Sequence, residues 1–270
     1  DGIRDQPRSR GLGDVYKRQV VRRAFIALHV AFVAYLALLA LTFWNDLYRG
    51  FVTRVFEALF AVALTYTAFK AYKYYSSGLI GRVYLALLVT VASLMVVDVS
   101  NLTLYTLWRV RRPPLLVFTP LYLVVGVSAL IAVKYLYDLW VEPVAAKGGM
   151  FYRVLALGAL IAALGLLAFR DLLARGGLVE TAYLAFNEYN LLVTPLIAYL
   201  VKYFRTGVYA GSWGMILLML VLYVIRNYVY CIAAAYGLPA FVADFSETLA
   251  IYAYIAGSIG LLAQVLEPPS

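Results

Sequence analysis

At 270 residues, with 64% hydrophobic and only 14% charged positions, the chain lacks the polar surface of a water-soluble domain, for which about 25% charged residues is usual. Its apolar residues fall in blocks of twenty or more, the length that crosses a hydrocarbon core about 30 Å thick, and this excludes a β-barrel built from alternating strands of about ten residues. The net charge of +9 is spread in small groups beside the ends of these blocks, the distribution of positive-inside anchoring and not of a nucleic-acid-binding stripe.

The chain opens on Asp1, and its first methionine is Met95. The stretch Arg10 to Gln19, RGLGDVYKRQ, resembles a translated sequencing-adapter scar. Residues 1–19 are therefore read as a non-native segment, and setting them aside lowers the net charge to +7. Residues 20–270 read as a single polytopic transmembrane domain. Eight apolar spans are expected at 22–44, 52–74, 80–107, 115–138, 151–170, 180–204, 213–236 and 245–266. Short connections separate them, punctuated by Gly50, Ser76-Ser77-Gly78, Pro113-Pro114, Gly148-Gly149, Gly176-Gly177, Gly207 to Gly211 and Gly237 with Pro239. The expected fold class is an all-α integral membrane protein of about eight transmembrane helices arranged as four tandem helical hairpins. A repeat supports the hairpins: the second, fourth and sixth spans finish in Lys70, Lys134 and Lys202, each with a nearby tyrosine, and the fourth and sixth share Thr-Pro-Leu at Thr119 and Thr194.

An even number of spans puts both termini on one side. Ten basic residues lie on that side against seven on the other, which favours cytoplasmic termini in a cell membrane, with the Arg109-Val-Arg-Arg112 cluster as the objection. Asn, Gln, Cys and Met are scarce beside 24 tyrosines, a balance that points to a thermophilic source. The tyrosines gather at span ends as interfacial belts.

Ionisable residues inside a span are costly and need a partner or a purpose. Glu57, Asp98, Glu188, Arg226, Asp244 and Glu247 are such residues, and all fall toward the non-cytoplasmic half. Glu57, Glu188 and Glu247 lie near the starts of even spans that end in lysine or in polar residues, a layout that complements the helix macrodipole. Glu188 and Arg226 are too deep for that account. Arg226 is the deepest base, and an ion pair with Glu188 or Asp98 is expected for it. In the sixth span Asn187, Asn190 and Thr194 stand at i, i+3 and i+7 on one face with Glu188 beside them. Pro195 frees a carbonyl one turn earlier. Such a face lines a substrate or proton path or bonds between helices.

In the first span, His29 is a packing residue or a partner for a quinone carbonyl. A lone histidine does not make a bis-histidine haem, and the single Cys231 gives no Cys/His metal set. No cofactor and no metal are expected, and the phosphate-cradling, zinc-protease and nucleophile-elbow motifs of soluble enzymes are missing from the sequence. Glu247 to Gly260 resembles the last helix of microbial rhodopsins but carries no lysine for a retinal Schiff base. The span count, His29 in the first span and Arg226 in the seventh are similar in arrangement to quinol-interacting anchor subunits of the polysulfide-reductase type, whose glycine-rich first-helix pattern is missing here.

The leading expectation is a transporter or channel-like protein for a small solute, ion or proton, with no catalysis of its own. Glu188, Asn190, Thr194 and Arg226 line its path, and Asp98 is a charge partner. The alternatives are a quinone-binding anchor subunit using His29, which needs a partner carrying redox centres, and a membrane scaffold or signalling protein. The lipid bilayer is the expected partner in every case, with a second copy or a membrane-complex subunit beside it and no nucleic acid.

Overall fold

The computed structural model describes residues 7–108, 115–145, 149–203 and 208–266. The Arg109–Arg112 cluster, Pro113-Pro114, Gly148 and Gly207 lie outside the described residues. Among the described residues eight helices are long and apolar enough to cross a membrane, and there is no strand. They are α1 (Pro7–Leu41), α2 (Asp46–Tyr74), α3 (Gly78–Trp108), α4 (Leu115–Leu136), α5 (Met150–Ala168), α6 (Leu178–Tyr203), α7 (Val208–Ala235) and α8 (Ala240–Leu266). In α1 the apolar part is Gln19–Leu41. A bilayer core offers the backbone no hydrogen-bond partner, so chains this apolar satisfy their amides internally as helices. Large apolar side chains such as Val30, Leu41 and Leu167 face outward along the bundle, as a lipid-facing surface requires.

All eight expected spans are present, shifted by a few residues at their ends. Helix α1 begins at Pro7, ahead of the expected 22, although its apolar part begins at Gln19; α2, α7 and α8 start six, five and five residues ahead of the expected 52, 213 and 245. Asn45 caps α2, its side chain accepting from the amides of Leu47 and Tyr48 at 3.1 and 3.2 Å. Arg49 then offsets Asp244 at the start of α8, so polar residues that look like loop in the sequence sit inside helices. At the other side a π-helical turn (Tyr137–Val141) and a short helix (Glu142–Ala145) extend α4. The Glu142 carboxylate accepts from the amides of Gly149 and Phe151 at the start of α5, at 3.1 and 3.4 Å. Gly149 itself has φ +83°, a conformation that favours glycine.

The four hairpins pack as a circuit in which α2, α3, α4, α6, α7 and α8 follow one another and close back onto α2. Outside it, α1 packs on α8 and α2, and α5 packs on α6. Of the spans, α8 is the most enclosed and α1 the least. Glycines permit the closest approaches. A Cβ on Gly260 of α8 would lie 2.7 Å from the Ser212 carbonyl oxygen of α7, and one on Gly158 of α5 would lie 3.0 Å from the Leu192 carbonyl carbon of α6. The two Thr-Pro-Leu copies are not equivalent in depth: Pro120 is the sixth residue of α4, whereas Pro195 is the eighteenth of α6.

The end of the bundle where α2, α3 and α8 meet at Tyr75, Tyr84 and Gln264 is called the terminal face below. There the Tyr75 hydroxyl donates to the Gln264 carbonyl at 2.7 Å and the Tyr84 hydroxyl to its side-chain oxygen at 2.6 Å.

Candidate functional site: a buried charge cluster beneath a vestibule

At the face opposite Gln264, the starts of α2 and α8 are clamped by one guanidinium. Buried Arg49 donates to Asp244 at 2.5 Å, to Asp46 at 2.7 Å and to the Phe43 carbonyl at 2.5 Å. Beside this clamp a vestibule of about 200 Å³ opens between α2, α3, α7 and α8, lined by Asp46, Gly50, Arg54, Tyr105, Tyr230, Asp244 and Glu247 among others. Gly50 leaves room for its aromatic wall, since a Cβ there would lie 2.7 Å from the Tyr105 hydroxyl oxygen. That hydroxyl donates to the Leu47 carbonyl at 2.9 Å, and the Arg54 guanidinium lies over the Tyr105 ring, 5.1 Å from its centroid.

The floor of the vestibule is an ion pair. Arg226 of α7 donates to Oε2 of Glu247 through Nε at 3.0 Å and through a terminal nitrogen at 2.5 Å, and Glu57 of α2 approaches the same guanidinium at 3.9 Å. Arg226 also donates to the Asn227 side-chain oxygen at 2.9 Å. Below the pair lies a small inner cavity lined by Glu57, Asp98, Asn101, Tyr122, Phe186, Tyr223 and Arg226, with room for about 10 Å³ of water-sized contents, the minimum for one molecule. A hydroxyl chain borders it: Tyr223 donates to Tyr254, and Tyr254 donates to Asp98. Glu57, Asp98, Arg226 and Glu247 stand seven to eleven residues in from helix ends, roughly 10–16 Å deep at 1.5 Å per residue. Beyond them the bundle is filled by Leu64, Tyr84, Val91, Leu94 and Ile255, all buried.

The expected partners of Arg226 are corrected by this geometry. Its ion pair is with Glu247, and Glu57 is the second carboxylate. Asp98 shares the inner cavity with Arg226 but accepts from Tyr254, and Glu188 faces elsewhere. The cause is the packing circuit, which sets α7 against α8 and α2 at this depth. Glu57 and Glu247 are the twelfth and eighth residues of their helices, beyond the first turn in which the dipole acts. The starts at Asp46 and Ala240, ahead of the expected 52 and 245, are what make them deep. Tyr223 and Tyr254 had no signal in the sequence among so many tyrosines.

The polar face of α6 forms a second cluster. Glu188 accepts from the Tyr228 hydroxyl at 2.7 Å, and its other oxygen is buried against Gly165 of α5, where a Cβ would lie 2.5 Å away. Asn187, Asn190 and Asn227 are buried, and the amide nitrogens of Asn190 and Asn227 have no hydrogen-bond partner among the described residues. Thr194 is turned back on its own helix, donating to the Asn190 carbonyl at 2.7 Å. Of the five path residues expected from sequence, Arg226 and Asp98 thus meet at the inner cavity, while Glu188 and Asn190 belong to the α6 cluster.

His29 is half-buried beside α8. Its Nδ1 lies 2.8 Å from the Phe25 carbonyl and its Nε2 lies 3.4 Å from the Tyr252 hydroxyl. The first contact requires the proton on Nδ1, leaving Nε2 to accept from Tyr252. His29 lines neither the vestibule nor the inner cavity. Among the described residues no group of three or more His, Cys, Asp or Glu side chains is arranged to hold a metal ion.

Comparison with protein-family models, curated proteins and solved structures gives no match.

Proposed function

We propose that this multi-pass membrane protein is a transporter for a small cation, the proton included, taken up through the vestibule and held at the cluster around Arg226. The observation that carries this reading is a charge imbalance. Among the described residues, Asp244, Glu247, Glu57 and Asp98, with exposed Asp46 at the mouth, face Arg49, Arg54 and Arg226 in and around the two cavities, a formal excess of two negative charges, one of them inside the mouth where unbalanced charge is costly. A cation arriving from water relieves that excess. The hydroxyl chain from Tyr223 through Tyr254 to Asp98 gives a proton a route below the ion pair. With cytoplasmic termini the vestibule faces the non-cytoplasmic side. The quinone reading has less support, since both nitrogens of His29 are engaged within the protein.

Glu57→Gln is the discriminating variant, because it removes one carboxylate and leaves the Arg226–Glu247 pair in place. Proteoliposomes driven by a pH gradient or by a membrane potential should show proton or organic-cation uptake that falls about tenfold or more in Glu57→Gln. Uptake equal to the parent in both Glu57→Gln and Asp98→Asn would overturn the assignment.

A further inference from the structure

The packing circuit has one thin seam, between α4 and α6, and an apolar groove of about 350 Å³ occupies it. Thr119, Tyr122, Leu123, Gly126, Phe186 and Tyr189 line this groove. Its outer lip is exposed along the bundle side, Leu123 at 64% and Val127 at 58%, within a helix long and apolar enough to span the membrane. The groove therefore opens to lipid and not to water. Its inner wall is the ring pair Tyr122 and Phe186, with centroids 5.1 Å apart, and the same two residues line the inner cavity on their other side. One aromatic pair separates a lipid-facing groove from Glu57 and Asp98. The Tyr189 hydroxyl also bridges the seam, donating to the Gly126 carbonyl.

We propose that the α4–α6 seam is the binding groove for the apolar tail of a cationic amphiphile, whose ammonium head enters the inner cavity sideways from the bilayer when Tyr122 and Phe186 part. This rests on the reading that the acidic cluster takes up cations, and it adds to the vestibule a second, lateral route to that cluster for an amphiphilic cation. Two features select that occupant. The groove accepts a hydrocarbon chain at the depth where lipid chains lie, and the carboxylates behind its inner wall outnumber the guanidinium beside them, so a positive head is favoured over a neutral or negative one. Ring parting is required because the inner cavity holds about one water in the present conformation.

The test uses the full chain in phosphatidylcholine nanodiscs and three dodecyl probes with a diazirine in the tail, bearing an ammonium, a hydroxyl or a sulfate head. Labelled peptides are mapped by mass spectrometry. The ammonium probe should label residues 119–127 and 182–189 at about tenfold lower concentration than the hydroxyl probe, and excess dodecylamine should compete it away. Ala185 is exposed and lines the groove, so Ala185→Trp should fill it and abolish labelling without touching the core. Glu57→Gln should erase the preference for ammonium over hydroxyl. Equal labelling by all three heads, which is the behaviour of annular lipid, would overturn the proposal, as would labelling that persists in Ala185→Trp. Uptake of a water-soluble cation by Ala185→Trp proteoliposomes separates this failure from failure of the transport reading: retained uptake with unselective labelling leaves transport standing and removes the amphiphile.

Discussion

Arg226 and Glu247 are 7% and 8% exposed and share two hydrogen bonds, so each makes the burial of the other tolerable. Removing one partner strands a charge, which costs about 3–5 kcal/mol, whereas replacing both by apolar groups of similar volume is close to neutral. Arg226→Met should thus lower the unfolding midpoint in detergent markedly, and Arg226→Met with Glu247→Leu should recover part of it, since Glu57, 3.9 Å from the guanidinium, is still left without its base. Cation uptake should stay abolished in the double variant, because stability and charge are then separated. Failure of the double variant to recover would mean that the guanidinium serves packing and the Asn227 contact more than the ion pair. Glu188 allows a parallel argument. A Cβ on Gly165 would stand 2.5 Å from its carboxylate, so Gly165→Ala forces Glu188 away from Tyr228. The expected cost is about 1–3 kcal/mol, the penalty for disturbing a buried polar group. Gly165→Ala with Glu188→Ala should unfold closer to the parent than Gly165→Ala does. At this scale the sequence disclosed which residues are deep and charged but not which ones meet. Depth follows from position along one helix, whereas the pairing of Arg226 with Glu247 and Glu57 depends on α2 and α8 being the neighbours of α7.

The helices themselves were legible because bilayer thickness fixes their length and hydropathy marks their extent. Their ends were less so, since Asp46, Arg49 and Asp244 resemble loop residues until the ion pair between α2 and α8 neutralises them. The Thr194 hydroxyl illustrates the limit of face periodicity. It lies at the right spacing to join Asn187 and Asn190 but bonds its own backbone instead, a local alternative open to any threonine in a helix. Close helix approach is also invisible in the sequence, where Gly158 and Gly214 look alike inside apolar runs. In the structure a Cβ on Gly158 meets the Leu192 backbone, whereas one on Gly214 has nothing within 4 Å. Gly158→Ala should separate α5 from α6 and destabilise the protein by about 1–3 kcal/mol, the usual range for overpacking. Gly214→Ala should be neutral or stabilising by up to about 1 kcal/mol, because alanine is the better helix former. Equal effects on thermal unfolding in detergent would mean that the α5–α6 contact is not a tight one.

For the molecule as a whole, the vestibule enters from one face and the apolar filling below Asp98 closes the other, so access to the cluster is one-sided in this conformation. The count of basic residues favours the terminal face as the cytoplasmic one, and that expectation, joined to one-sided access, predicts which solvent reaches Glu247. Single cysteines on a Cys231→Ala background test both at once. Cys231 is buried, and replacing it removes the native thiol without exposing a new surface. Ala240 lines the vestibule and is exposed, whereas Ser77 is exposed at the terminal face, in the turn between α2 and α3. In intact cells a membrane-impermeant maleimide should label Ala240→Cys and should reach Ser77→Cys only after permeabilisation. The reverse pattern would invert the protein in the membrane and turn the vestibule toward the cytoplasm. Labelling of both positions from outside would break the alternation of the eight spans. Where Ala240→Cys is labelled, a bulky adduct in a cavity of about 200 Å³ should also block cation uptake from that side, while the same reagent at Ser77→Cys, applied from the terminal side, leaves uptake intact.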